Sequence, residues 1–234
     1  MTTATSREEL RELASAASAE LADATAEEAL AWTAKTFGDN WILASNMQDA
    51  VLIDLAVKAK PDFDVLFLET GYHFPETIGL KDAVNATYSG INIINALPDR
   101  TVAEQDAELG PRLYERAPDQ CCALRKVIPL RRTLAQYDAW VTGVRRVDAP
   151  TRANTPIVQW DDRNGLVKIN PIAPWSDERF RRYIDDHGIL ENMLVAEGYL
   201  SIGCAPCTAK VAPGADPRSG RWAGQGKTEC GLHG

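Results

Sequence analysis

The chain has 234 residues, 45% of them hydrophobic and 25% charged, which suits one substantial globular domain and argues against a disordered, collagenous or coiled-coil chain. Its longest apolar runs, such as 65–68 and 202–204, are far shorter than the ~20 residues of a membrane helix. The Thr-, Ala- and Glu-rich start lacks the regions of a secretory signal, so a cytoplasmic protein without a membrane partner is expected. The net charge of −8 disfavours a general nucleic-acid binder. That charge is uneven: residues 1–120 carry 9 Lys/Arg against 21 Asp/Glu, and residues 121–234 carry 16 against 12. An anionic ligand is therefore expected in the second half, which also holds all five cysteines.

Ser6 followed by Glu9 predicts a capped helix start. A second helix is predicted over 26–36, with Leu30 and Phe37 on its buried side and Gly38 at its end. Strands and helices then alternate. Residues 41–44 are a short apolar strand and 50–58 have helical spacing. Residues 65–68 are a second strand, followed by a Gly-Tyr-His-Phe-Pro turn and a helix from about Glu76. Residues 92–95 form a third strand, and 122–136 read as a helix that Pro129 should kink or restart. Residues 139–142 and 167–169 are the fourth and fifth strands. His187, before Gly188, reads as a helix C-terminal residue. Strands separated by helices imply parallel pairing through right-handed crossovers, so the predicted fold is α/β with a doubly wound, mostly parallel sheet. Ligands of such sheets lie beyond the carboxyl ends of the strands, which points to 45–49, 69–75 and 143–146. After about Gly203 the chain is rich in Gly, Pro, Cys and basic residues without periodicity, and something must order it.

The cysteines form three groups: Cys121-Cys122, Cys204-Ala-Pro-Cys207 and Cys230. Without a secretory signal, a disulfide framework is not expected. Four paired thiols suit zinc or an iron–sulfur cluster. Adjacent side chains diverge, so Cys121 and Cys122 share a centre only if it is large or the backbone bends there, which favours a cluster. A redox C-x-x-C and plain buried thiols are the alternatives. Cys230 sits in Lys227-Thr-Glu-Cys-Gly-Leu-His-Gly, where Lys227 and His233 would favour the nucleophilic thiolate and Glu229 would oppose it; an incidental surface thiol is the bland alternative.

Arg125-Lys126, Arg131-Arg132, Arg145-Arg146, Arg152, Arg218 and Arg221 make the second half cationic. Guanidinium forks suit phosphate and sulfate, although a charge run is more often a solvated face. Gly143-Val-Arg-Arg directly follows a predicted strand. Ser45-Asn-Met-Gln-Asp lies between a strand and a helix, where hydroxyl, amide and free backbone N–H groups are expected to hold an anion. It has neither the P-loop nor the dinucleotide glycine pattern. His73, in the turn after a strand, is a candidate wall residue.

The combination of Cys121-Cys122, Ser201-Ile-Gly-Cys-Ala-Pro-Cys-Thr208 and Glu229-Cys-Gly-Leu-His233 resembles the assimilatory adenylyl-sulfate reductases. The loops at Ser45, Glu69 and Trp140-Val-Thr-Gly-Val-Arg-Arg, with Arg152 and Gly220-Arg-Trp, extend the resemblance across most of the chain; the first forty residues and the stretch 98–118 add nothing. Asn46-Met47 departs from the aromatic-glycine pair often seen in the family. The resemblance implies an adenine-nucleotide alpha-hydrolase-like fold, with residues 1–203 as the nucleotide-binding domain and 204–234 as an extended tail of the same structural unit. It implies reduction of adenosine 5′-phosphosulfate to sulfite and AMP in sulfate assimilation. Cys230 would be the nucleophile that forms an S-sulfonate, and thioredoxin the partner that resolves it. Cys121, Cys122, Cys204 and Cys207 would hold a 4Fe–4S cluster. Ser45, Gln48, Asp49, Thr70, Gly71, Arg145, Arg146, Arg218, Arg221 and His233 would bind substrate, with Lys126 a further candidate cation; a homo-oligomer is compatible with this reading. A reductase of the 3′-phosphorylated substrate, or of both, and a zinc-stabilised nucleotide-binding module without catalysis are the competing readings.

Overall fold

A computed structural model describes residues 6–222, 227, 231 and 232. Helices α1 (Arg7–Glu20) and α2 (Ala26–Phe37) start at reciprocal caps. Ser6 Oγ accepts from the Glu9 amide at 3.2 Å, and the Glu9 carboxylate accepts from the Ser6 amide at 2.7 Å. Thr25 and Glu28 repeat the pair, which satisfies amides that have no partner within the helix. α2 ends at Gly38, whose φ of +58° is open to glycine without a Cβ clash.

There follow β1 (Trp41–Ala44), α3 (Val51–Ala59), β2 (Phe63–Leu68), α4 (Pro75–Thr87), β3 (Ile91–Ala96), α5 (Val102–Leu109), α6 (Leu113–Arg116) and α7 (Pro118–Cys122). A π-helical turn over Ala123–Val127 leads into α8 (Ile128–Leu134), then β4 (Ala139–Val141), β5 (Val158–Asp161), β6 (Leu166–Ile169) and α9 (Asp177–His187). The sheet order is β3-β2-β1-β4-β6-β5. Every pairing is parallel except β5 with β6.

From β1 the chain winds outward to β2 and β3, then returns to place β4 on the other side of β1. This reversal between β1 and β4 opens a crevice at the carboxyl edge, the place where ligands of doubly wound sheets lie. Alternation along the strands buries both faces. Trp41, Leu43, Val65 and Val141 pack with Leu30, Val51 and Leu55 on one face, while Ile42, Leu66 and Trp140 pack with Leu130 and Leu134 on the other. No described helix is long and apolar enough to cross a membrane.

Several elements differ from the sequence expectation, which also gave no element over α5 and α6. β5 had no place in it, because Val158 alone in that strand is fully buried and the apolar signal is too short to read; its antiparallel pairing with β6 supplies the edge. The single helix expected over 122–136 is instead α7, the wide π turn and α8. Pro129 falls in the first turn of α8, where its missing N–H costs little, so the backbone widens before the proline.

Candidate active site

The loop after β1 turns back on itself. The Met47 amide donates to Ser45 Oγ at 3.1 Å, the Gln48 amide to Asn46 Oδ1 at 3.2 Å and the Val51 amide to Asp49 Oδ1 at 3.1 Å. The Ala50 amide donates to Leu190 O at 2.9 Å. The expectation of free N–H groups here is corrected for four amides: loop side chains hold those of Met47, Gln48 and Val51, and the Leu190 carbonyl holds that of Ala50. Met47 is fully buried with a φ of +56°, a left-handed conformation that costs a non-glycine residue roughly 1–2 kcal/mol.

A cavity of about 370 Å³ opens at the switch between β1 and β4. Its apolar wall includes Leu66, Phe67, Leu130 and Trp140, and its polar wall includes Ser45, Gln48, Asp49, Thr70, Ser201, Arg145, Arg152, Arg218, Arg221 and Lys126. Of the substrate-binding residues expected from sequence, Gly71 and Arg146 lie off this wall. Arg146 points away and donates from Nε to Thr155 O at 2.9 Å. Gly71, at φ +74°, makes a turn so tight that a Cβ there would stand 3.0 Å from Val102 Cγ2 and 3.1 Å from Arg125 Nη2.

Burial pushes the Asp49 carboxyl up to about 6, and the Glu191 charge adds to the shift. Burial also holds the His73 ring below its ordinary value, with Nε2 2.8 Å from Leu68 O. His73 thus lines the cavity as a predominantly neutral residue near pH 7. The Arg221 guanidinium lies over the Trp222 ring, 4.5 Å from its centroid, and presses against Gly203, where a Cβ would come within 2.6 Å of its Cζ.

The two cysteine pairs converge beside this cavity. Cys121, Cys122, Cys204 and Cys207 are all buried and none forms a disulfide. Cys122, Cys204 and Cys207 pack with Trp222, Tyr72 and Tyr114. Burial and the other three cysteines push the Cys121 thiol up to about 12. Burial and Cys204 push Cys207 up to about 11, with Lys126 opposing. The backbone bend that Cys121-Cys122 requires is present as the π turn directly after Cys122. Among the described residues no group of three or more His, Cys, Asp or Glu side chains is gathered as the ligand shell of a metal ion.

Cys204 belongs to both regions. It lines the cavity, and its Sγ lies 3.4 Å from Thr70 Oγ1. The cationic stretch divides here as well. Arg125 and Lys126 are buried, while Arg132 pairs with Asp99 on the surface. Arg125 donates to Thr70 O and, at 3.1 Å, to Gln105 Oε1, and lies over the Tyr72 ring. It stitches the 69–72 loop to the cysteine pair, a role that its place in a charge run concealed; adjacency to Cys122 was the available signal.

Cys230 and His233 lie outside the described residues. Lys227 pairs with Asp119 of α7. Leu232 packs on the Ile42–Trp140 side of the sheet and lines the cavity.

Residues 40–210 match the family model described as phosphoadenosine phosphosulfate reductase domain. The chain is 63% identical to the adenosine 5′-phosphosulfate reductase of Mycolicibacterium smegmatis, over 99% of this chain and 98% of that one. It is 62% identical to the enzyme of that name from Rhodococcus opacus, over 96% and 95%. The phosphoadenylyl-sulfate reductase of Candida auris, solved as a phosphate complex, superposes with a TM-score of 0.72 at 26% identity, covering 90% of this chain and 100% of that one. Yeast FAD synthetase, with a TM-score of 0.55 at 12% identity over 88% of this chain and 77% of that one, shares the fold alone. The chain therefore belongs to the phosphoadenosine phosphosulfate reductase family, alongside its adenosine 5′-phosphosulfate reductases.

Proposed function

We propose that this chain reduces adenosine 5′-phosphosulfate to sulfite and AMP, with Cys230 as nucleophile and thioredoxin as reductant. The carrying observation is Cys204, shared between a cationic cavity at the sheet switch and a buried patch of four cysteines. Full-length identity to adenosine 5′-phosphosulfate reductases supports the substrate.

The cavity's apolar wall suits an adenine ring, and its arginines suit the phosphosulfate. A thiolate attacking a sulfate is an anion meeting an anion, so Arg218, Arg221 and Lys126 on the wall would offset that repulsion. The Cys230 thiolate attacks the sulfur and an S–S bond forms. The sulfur–oxygen bond to phosphate breaks and AMP leaves. A thioredoxin thiolate then attacks Cys230 Sγ and releases sulfite as a mixed disulfide forms; thioredoxin's second thiol closes its own disulfide and returns the Cys230 thiol. The two electrons come from the dithiol. Leu232 on the cavity wall and Lys227 on Asp119 support residues 204–234 as the tail that carries this cysteine.

The donor set fits a 4Fe–4S cluster: four buried free cysteines from two segments, on a bend that admits adjacent ligands. Cys121, Cys122, Cys204 and Cys207 would hold it. When bound, such a cluster supplies charge next to the cavity and a covalent tie between the two segments. The reading is tested by sulfite release with thioredoxin on anaerobic protein, with iron and sulfide measured and both nucleotides in competition. Sulfite from adenosine 5′-phosphosulfate, with iron and sulfide present, is expected. No sulfite, or a preference for the 3′-phosphorylated nucleotide, would overturn it.

A further inference from the structure

The loop that follows β4 carries a carboxylate that the chemistry above does not use. Asp148 closes a short 3-10 turn, Arg146–Asp148. Its Oδ2 accepts from the Arg145 backbone amide at 3.0 Å, and its Oδ1 accepts from Arg145 Nη2 at 2.9 Å. The same carboxylate stands 3.6 Å from Arg152 Nη1. The side chains of Arg145, Arg152 and Asp148 are 15%, 12% and 21% exposed, and all three line the cavity. Arg145 is braced further, with Nη1 2.9 Å from Asp177 Oδ1 and its guanidinium 4.6 Å from the Phe180 ring centroid.

An acid on the wall of an anion site opposes the ligand by Coulomb's law. Two guanidiniums on the same wall also repel each other, and a carboxylate between them relieves that repulsion. Spacing makes the arrangement possible: Arg145 and Arg152 lie three residues before and four after Asp148, so one side chain on a tight turn meets both.

We propose that Asp148 is a positioning residue for the anionic end of the nucleotide, clamping Arg145 to its own backbone and keeping Arg152 beside it, so that both guanidiniums are set before the ligand arrives. This rests on the nucleotide reading above.

The test is Asp148→Asn, which keeps the size and one acceptor but removes the charge. Calorimetry with AMP and with adenosine separates an effect on the anion from an effect on the fold. AMP binding is expected to weaken about tenfold while adenosine binding stays unchanged. The KM for adenosine 5′-phosphosulfate is expected to rise about tenfold, with kcat within about threefold. A residue that merely repelled the ligand would give the opposite sign, so unchanged or tighter AMP binding overturns the proposal. Equal loss of AMP and adenosine also overturns it, because it would mark a structural role alone. If Asp148→Asn does not fold, Asp148→Ser, which retains an acceptor for the Arg145 amide, is held to the same measurements. Failure of the wild-type chain to bind AMP would overturn the nucleotide reading itself, whereas a variant that binds like wild type overturns only this inference.

Discussion

The cavity and the cysteine patch adjoin at Cys204, yet they are built in different ways. The cavity is framed by the ends of β1, β2 and β4, on strands whose side chains fill two hydrophobic clusters. The patch is framed by a π turn and the 3-10 turn Ala205–Cys207, and its buried members are Cys122, Cys204, Cys207 and Trp222. The cavity's frame therefore follows from burial of apolar surface, whereas the patch would depend, on the proposed reading, on the cluster its thiols hold. The contrast can be tested by perturbing each region separately.

The largest effect is expected at the tail. Cys230→Ser should lower sulfite release by at least about a thousandfold, as loss of a nucleophile does, while AMP affinity in calorimetry stays unchanged. Release at the wild-type rate would remove Cys230 from the mechanism. Next, Leu43→Ala, at a fully buried position of β1, should cost about 2–5 kcal/mol in denaturant unfolding and weaken both regions together. Cys207→Ser should instead lose bound iron and leave AMP affinity within about threefold; an equal loss of both would show that cavity and patch are one unit.

A smaller effect is expected at Gly203, where an added Cβ would stand 2.3 Å from Arg221 Nη2. Gly203→Ala should displace that flexible guanidinium at little cost in stability and raise the KM about fivefold, against more than tenfold for Arg221→Ala. An unchanged KM in both would take Arg221 out of the site.

The smallest effect concerns Lys168 of β6, over the Trp140 ring. Burial pulls its ammonium down to about 8. Below that pH the folded chain carries a buried charge at a cost, and as pH rises from about 8 to the ordinary lysine value the folded state binds fewer protons than the unfolded one, so stability rises. Lys168→Met should add about 1–3 kcal/mol at pH 7, and that gain should fade toward pH 10 in denaturant titrations. A pH-independent gain would mean the substitution acts through packing.

Much of this was legible along the chain. Short apolar runs marked β1, β2, β4 and β6, because strands buried on both faces leave continuous apolar signals, while β3, an edge strand with exposed residues, showed only a shorter Ile-Ile signal. Ser6 with Glu9 and Gly38 marked helix ends through local hydrogen bonds and backbone freedom. β5 was not legible, since an edge strand with one fully buried residue resembles a loop. Arg125 was hidden for the opposite reason: a charge run reads as solvated surface, and only the packing of the 69–72 loop against it reveals a buried cation.

By itself the sequence determined the parallel α/β fold, the carboxyl-edge location of the site and the grouping of the cysteines, all of which follow from periodicity, local caps and spacing between chain neighbours. The tertiary structure alone decided that Thr70, Arg125 and Cys204 meet, that Gly71 and Arg146 stand off the cavity wall, and that the amides of Met47, Gln48, Ala50 and Val51 are already taken. Those outcomes depend on crossover connections that bring distant segments together, and on which hydrogen bonds win when several partners compete for the same donor.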